Sequence, residues 1–194
     1  ADPAGLTQVS IKHRHGTCAE ALADLESEAS LVVLAAKGEN DAVEKKGLSA
    51  QLEDTIRAIH TPMYIVKDSF TQPKKMLLAY NGSPTSVKAL KVLAETDVID
   101  SSVDIHVVAV QADIEVAKKL IDEVSIVFAK SERVISTRSL QGDILEALTL
   151  YQQENDIDVT AMGAFSHGKL HGFFFGSFTT KMLLESPTSF LLIR

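Results

Sequence analysis

The sequence predicts an α/β fold: a doubly wound parallel five-stranded sheet with helices on both faces, in a tandem arrangement. Three observations predict it. From residue 74 onward, short apolar runs alternate with amphipathic stretches of helical period. Turns bearing Gly, Pro or Ser separate them, as strand-to-helix connections require. Segments of the first 70 residues also recur, in the same order, near the other end of the chain. A β-α-β-α alternation packs as a parallel sheet covered on both faces.

The elements follow in order. VSIKHRHG (9–16) reads as a strand on which His13 and His15 share one face. TCAEALADLESE (17–28) is a helix and LVVLAAKG (31–38) a buried strand. LSAQLEDTIRAIHTPMYIV (48–66) holds a helix and then a strand. DSFTQPKK (68–75) is a linker. KKMLLAY (74–80) is a strand. Asn81-Gly82 alone would suggest a hairpin, but Val87, Leu90 and Leu93 follow at helical spacing. Ser83 caps that helix and Pro84 fits its first turn. VDIHVVAV (103–110) is a strand, DIEVAKKLIDEVSIVFAK (113–130) a helix, and RVISTRSL (133–140) a strand closed by Gly142. DILEALTLYQQEN (143–155) is an amphipathic helix and IDVTAMGA (157–164) a strand. A glycine-rich loop leads to the helix SFTTKMLLES (177–186) and a last strand, SFLLIR (189–194).

Gly16 falls on Gly142, Ala35 on Gly163 and Pro62 on Pro187, at separations of 126, 128 and 125 residues. The first segment therefore parallels only the back half of the second. Residues 1–68 are expected to form the back half of a degenerate domain, 69–75 a linker, and 76–194 a complete domain. The first strand of a doubly wound sheet is usually central. The front half of domain one is thus expected to be missing from this chain or supplied by another segment, since a half-domain exposes apolar faces and unpaired edges.

Composition excludes several functions. A net charge of −7 argues against non-specific nucleic-acid binding, which needs a basic face. One cysteine, Cys18, rules out an internal disulfide and suits a reducing compartment. Apolar runs such as LVVLAA fall short of the ~20 residues of a membrane helix, and no signal peptide is visible. A cytoplasmic location is expected.

Chemistry concentrates in GAFSHGKLHGFFFGSFTTK (163–181). Gly163 ends a strand, and Gly176 with Ser177 opens a helix. The first-turn N–H groups of a helix attract anions, glycine admits close approach, and Ser177 adds a hydroxyl. GAFSHGKL nearly matches the phosphate loop G-x-x-x-x-G-K-[ST] through Gly163, Gly168 and Lys169, but Leu170 stands where a magnesium-binding hydroxyl belongs. The spacing G-x2-G-x9-G-[ST] fits better and resembles the nucleotide signature of the universal stress proteins. YNGSP resembles that family's Asp-Gly-Ser turn, IHVVAV its second strand and ESPTSFLLIR its closing helix and strand. The resemblance covers residues 72–194 and, through the repeat, the N-terminal segment.

It implies the adenine nucleotide α-hydrolase-like, Rossmann-type fold and a site for ATP or a related adenine nucleotide. The implied contacts are Asn81, Val107, Met162, Gly163, Ser166, Gly176, Ser177, Phe178 and Thr179. Adenine would lie near Asn81 and Val107, the phosphates over Gly163–Ser166 and Gly176–Thr179. Two residues depart from the pattern: Ser166 replaces the middle glycine, and Asn81 the acidic residue expected at the base. In the first domain Gly38 remains, but Ala35 and the Leu48-Ser49-Ala50 stretch lack the other glycines, so no nucleotide is expected there. The implied function is a non-enzymatic stress-response protein, with at most slow ATPase activity. The alternatives are a nucleotide-free scaffold or dimerisation module and an NTPase using Lys169. The expected partners are the nucleotide, the second domain or a second copy, and an unidentified protein.

Other candidates carry less. His167 and His171 have the i, i+4 spacing of a zinc pair but no third ligand, so no metal is expected. Asp156 and Asp158 read as solvated loop ends, and Phe173–Phe175 as packing residues. Neither a Ser/His/Asp arrangement nor a convincing carboxylate pair suggests a catalytic residue.

Overall fold

Five of the described helices begin where a side chain satisfies orphan N–H groups. In the computed structural model, which describes residues 8–36, 48–164 and 175–194 apart from the side chains of 175–177, Thr17 caps α1 (Cys18–Ala23) in a capping box with Glu20. Ser49 caps α2 (Ala50–Ala58), and Ser83 caps α3 (Pro84–Glu95), with Pro84 in the first turn. Asp113 caps α4 (Ile114–Phe128) and Asp143 caps α5 (Ile144–Glu154). The last helix, α6, spans Phe175–Glu185.

The strands are β1 (Val32–Ala35), β2 (Met63–Val66), β3 (Lys75–Ala79), β4 (Asp104–Val110), β5 (Ile135–Leu140), β6 (Val159–Gly163) and β7 (Ser189–Ile193). They form one seven-stranded sheet in the order β1-β2-β7-β6-β3-β4-β5. The five strands expected of the second domain are present, with the first of them, β3, central. The sheet does not stop there. β2 joins β7 antiparallel, pairing Tyr64 with Leu191, and carries parallel β1 along. Every other pairing is parallel.

Alternate residues of each strand enter different cores. Met76, Leu78, Ile105, Val107, Ala161 and Leu191 face α3 and α4. Leu77, Val108, Met162, Phe190 and Leu192 face α5 and α6, and Val32, Met63 and Ile65 continue that layer under α2. Within it lies a closed polar ring. Gln152 Nε2 donates to Thr160 Oγ1 (2.8 Å), which meets Thr188 Oγ1 (2.8 Å). Thr188 Oγ1 meets Ser186 Oγ (3.0 Å), which donates to Gln152 Oε1 (2.9 Å). All four residues are buried.

The segment 9–16 is not a strand. It runs exposed, with Ile11 94% accessible, and His13 and His15 meet edge to face. The similar run VISTRSL, by contrast, includes β5, a strand because β4 bonds it. Among the described residues nothing bonds 9–16 in that way, and an unpaired extended segment leaves its backbone to water. Asp158 is exposed as expected, but its carboxylate also accepts the N–H groups of Lys74 and Lys75 (2.7 and 2.9 Å), tying the starts of β3 and β6 together.

His106 on β4 places Nδ1 2.9 Å from the Tyr151 hydroxyl of α5. Burial, with Lys75 next, lowers its pKa from the ordinary imidazole value. The folded state therefore resists the proton that the unfolded chain accepts near pH ~6.5. This stabilising contribution is complete above that pH and is lost as pH falls through the folded pKa. Urea midpoints between pH 7.5 and 5 are expected to fall less steeply for His106→Gln than for the wild type.

Candidate functional site

Strand order reverses between β3 and β6. β3 leads through α3 to β4 on one side, and β6 leads to β7 on the other. In a parallel sheet this leaves a crevice outside the carboxyl ends of the two strands. The sequence puts Asn81 beyond one strand and Gly163 at the end of the other.

Asn81 is exposed, and its Oδ1 accepts the N–H of Ser83 (3.1 Å). Only an oxygen can accept there, so the amide orientation is fixed by chemistry. Among the described residues Nδ2 donates to nothing, so Asn81 offers the crevice donors where the family pattern would put a carboxylate. Gly82 follows at φ +73°, the left-handed region, and a Cβ there would come within 2.8 Å of Leu120. The turn leads directly into α3.

Gly163 is glycine for a different reason. A Cβ on it would lie 2.5 Å from the Thr85 carbonyl carbon and 2.6 Å from the Ser86 nitrogen. Its lack of a side chain lets the first turn of α3 rest on the end of β6. Met162 pairs with Ala79 and Leu192 and is buried. On α6, Phe178 is half-buried against the α5/α6 core, and Thr179 is buried. Gly176 and Ser177 lie in the first turn of α6. Ser166, Gly168, Lys169, His167, His171, Phe173 and Phe174 lie outside the described residues, as does Gly38.

Val107 is wholly buried in mid-strand, opposite Leu78 and Thr137. It belongs to the core beneath the crevice. At the mouth β4 offers half-buried Val110, two residues past Val108, whose carbonyl accepts the Tyr80 N–H (2.9 Å). Tyr80 is buried and donates to Glu123 (2.8 Å); burial, and then that bond, raise its phenol pKa well above the ordinary value.

Charge separates this crevice from the rest of the rim. α4 and α5 begin with aspartate caps and carry Glu115 and Glu146 in their first turns. Those carboxylates already complement the helix dipoles. α3 and α6, which flank the crevice, have no acidic residue in the first turn. Two cations stand at the same rim. Ala164 N–H bonds the Ile193 carbonyl (2.9 Å), which brings Arg194 beside the end of β6, and Lys88 of α3 donates to the Arg194 carbonyl. Sequence reading missed Val110, Lys88 and Arg194, because only the register and the packing of α3 bring them to the crevice. Among the described residues no group of His, Cys, Asp or Glu could hold a metal ion. Nor, among them, is any helix long and apolar enough to cross a membrane.

Residues 73–194 match the model of the universal stress protein family. A universal stress protein of a Synechocystis strain is 28% identical over 200 residues, covering 98% of this chain and 67% of that protein. The crystal structure of a universal stress protein from Archaeoglobus fulgidus superposes with a TM-score of 0.68 at 16% identity, over 91% of this chain and 64% of that one. This chain thus spans about two thirds of the length of these relatives. A universal stress protein solved in complex with cAMP aligns with a TM-score of 0.53 at 16% identity, over 64% of this chain and 98% of that one.

Proposed function

Because the chain belongs to the universal stress protein family, we propose that it is a non-enzymatic, cytoplasmic stress-response protein whose β3/β6 crevice takes ATP or a related adenine nucleotide. One observation carries the reading: the two helix N-termini that flank the crevice are the ones left without carboxylates. Phosphate supplies the missing negative charge, and Gly163 and Gly176 keep the backbone approachable. The cAMP complex of a protein of the same fold supports the ligand class. Asn81 meets an acceptor on the ligand, and Val110 flanks the base above Val107.

Residues 1–68 are, in this reading, the back half of a second domain, linked by 69–75 to the complete domain 76–194. The β2–β7 pairing is antiparallel and, at the 125-residue separation of Pro62 and Pro187, sets Ile65 opposite its own counterpart Phe190. The strand pairing expected of a dimer is then met within the chain. One observation favours a scaffold role beside nucleotide binding. Parallel strands are ordinarily covered on both faces, yet Val33 is 58% exposed beside Tyr64, and Phe70, which meets Tyr64 edge to face, is 65% exposed.

The test is direct. The purified protein is denatured and the released small molecules are identified by mass spectrometry, and ATP is titrated calorimetrically. Nucleotide near one per chain, or magnesium-independent ATP binding weakened at least tenfold by Gly176→Val, is expected. No released nucleotide together with no heat on titration overturns the reading and leaves the scaffold role.

A further inference from the structure

Arg194 is half-buried, and its Nη1 is fully enclosed without a hydrogen-bond partner among the described residues. A cationic donor enclosed without an acceptor is costly, and such a group in a folded protein calls for an explanation, an absent ion among them. Its place in the fold narrows the choice. The Gly163–Ile193 pairing and the Ala164–Ile193 bond set residue 194 beside the end of β6, at the mouth of the crevice. Lys88 reaches from α3 to the Arg194 carbonyl, so a second cation stands close by. Neither flanking helix has an acidic residue in its first turn to serve either cation. No ion pair involving Lys88 or Arg194 occurs among the described residues, while Lys12, Arg14 and Arg57 each pair with a carboxylate.

We propose that Arg194 is a phosphate-binding residue of the crevice, its guanidinium donating to the nucleotide's phosphate oxygens while Lys88 holds its main chain in place. The assignment rests on the nucleotide reading above and names the residue that recognises the charged part of the ligand. Guanidinium suits the task because its planar fork can donate two parallel bonds to one phosphate. The nucleoside moiety lies against Asn81 and Val110 and does not need Arg194.

The experiment compares ATP, AMP and adenosine by isothermal titration at fixed ionic strength, on the wild type and on Arg194→Gln. Glutamine keeps length and polarity but removes the charge and the fork. Arg194→Gln is expected to weaken ATP at least tenfold, AMP less, and adenosine not at all. Equal loss for all three ligands, or no loss for any, overturns the assignment while leaving the nucleotide reading intact. No binding of ATP to the wild type defeats the nucleotide reading itself. Thermal melting without ligand separates the remaining case. Nucleotide affinity that is unchanged while the variant melts lower shows that Nη1 serves the chain's own backbone, and also overturns the proposal.

Discussion

Gly163→Ala is expected to lower the unfolding free energy by about 3 kcal/mol, the upper end of what overpacking costs. The added methyl would stand 2.5 Å from the Thr85 carbonyl carbon and 2.6 Å from the Ser86 nitrogen, both main-chain atoms. A flexible side chain could swing aside, but the first turn of α3 cannot, because Ser83 caps it and Ser86 Oγ donates to the Ser83 carbonyl (3.0 Å). α3 must therefore lift from β6, or β6 must shift against β3 and β7, to which it is bonded on both sides. For a chain of this size the melting temperature should fall by about 6–12 °C. Urea unfolding and a thermal melt check both numbers. A variant as stable as the wild type would mean that α3 and β6 do not touch at this point. A motif glycine invites a reading through ligand approach, but here the absence of a Cβ is a packing requirement whether or not a ligand binds.

Thr160→Val is expected to cost about 2–3 kcal/mol although the two side chains have nearly the same shape. The hydroxyl of Thr160 accepts from Gln152 and meets Thr188 in the wholly buried ring between α5, β6 and β7. Its loss strands the Gln152 amide nitrogen without an acceptor where no water reaches. Thr188 suffers less, since Ser186 Oγ remains 3.0 Å away. Adding Gln152→Met removes the stranded donor, so the double variant should recover part of the loss. A double-mutant cycle by chemical denaturation measures that coupling. Strict additivity would show that the ring is a set of independent contacts. The ring matters to the site because it anchors the far ends of α6 and β6, whose near ends border the crevice.

Much of this architecture was legible in the chain. Ser83, Asp113 and Asp143 stand one residue before runs of helical period, and each caps a helix. Gly82 and Gly142 mark turns that need positive φ. These signals are local, and each is complete within about a dozen residues. The site was legible in part for the same reason: Asn81, Gly163, Gly176 and Ser177 sit at element ends that the sequence already defines. The depth of Val107 in the sheet was not legible in this way. Which residue of β4 stands at the mouth depends on its register against β3, Leu78 to Val107 and Ala79 to Val108, and no residue of β4 alone encodes it.

The sequence by itself determined the order of strands and helices from residue 74 to 194, the turns that join them and the net charge of −7, because these depend on periodicity, capping and composition. Tertiary structure alone decided that the N-terminal strands extend the same sheet through β2 and β7, that 9–16 is no strand, that Gly163 is glycine for the sake of α3, and that Arg194 comes to the rim of the crevice. Each of these depends on which surface meets which across long stretches of chain. A strand exists only with a neighbour to bond it, and a contact only where packing brings two faces together.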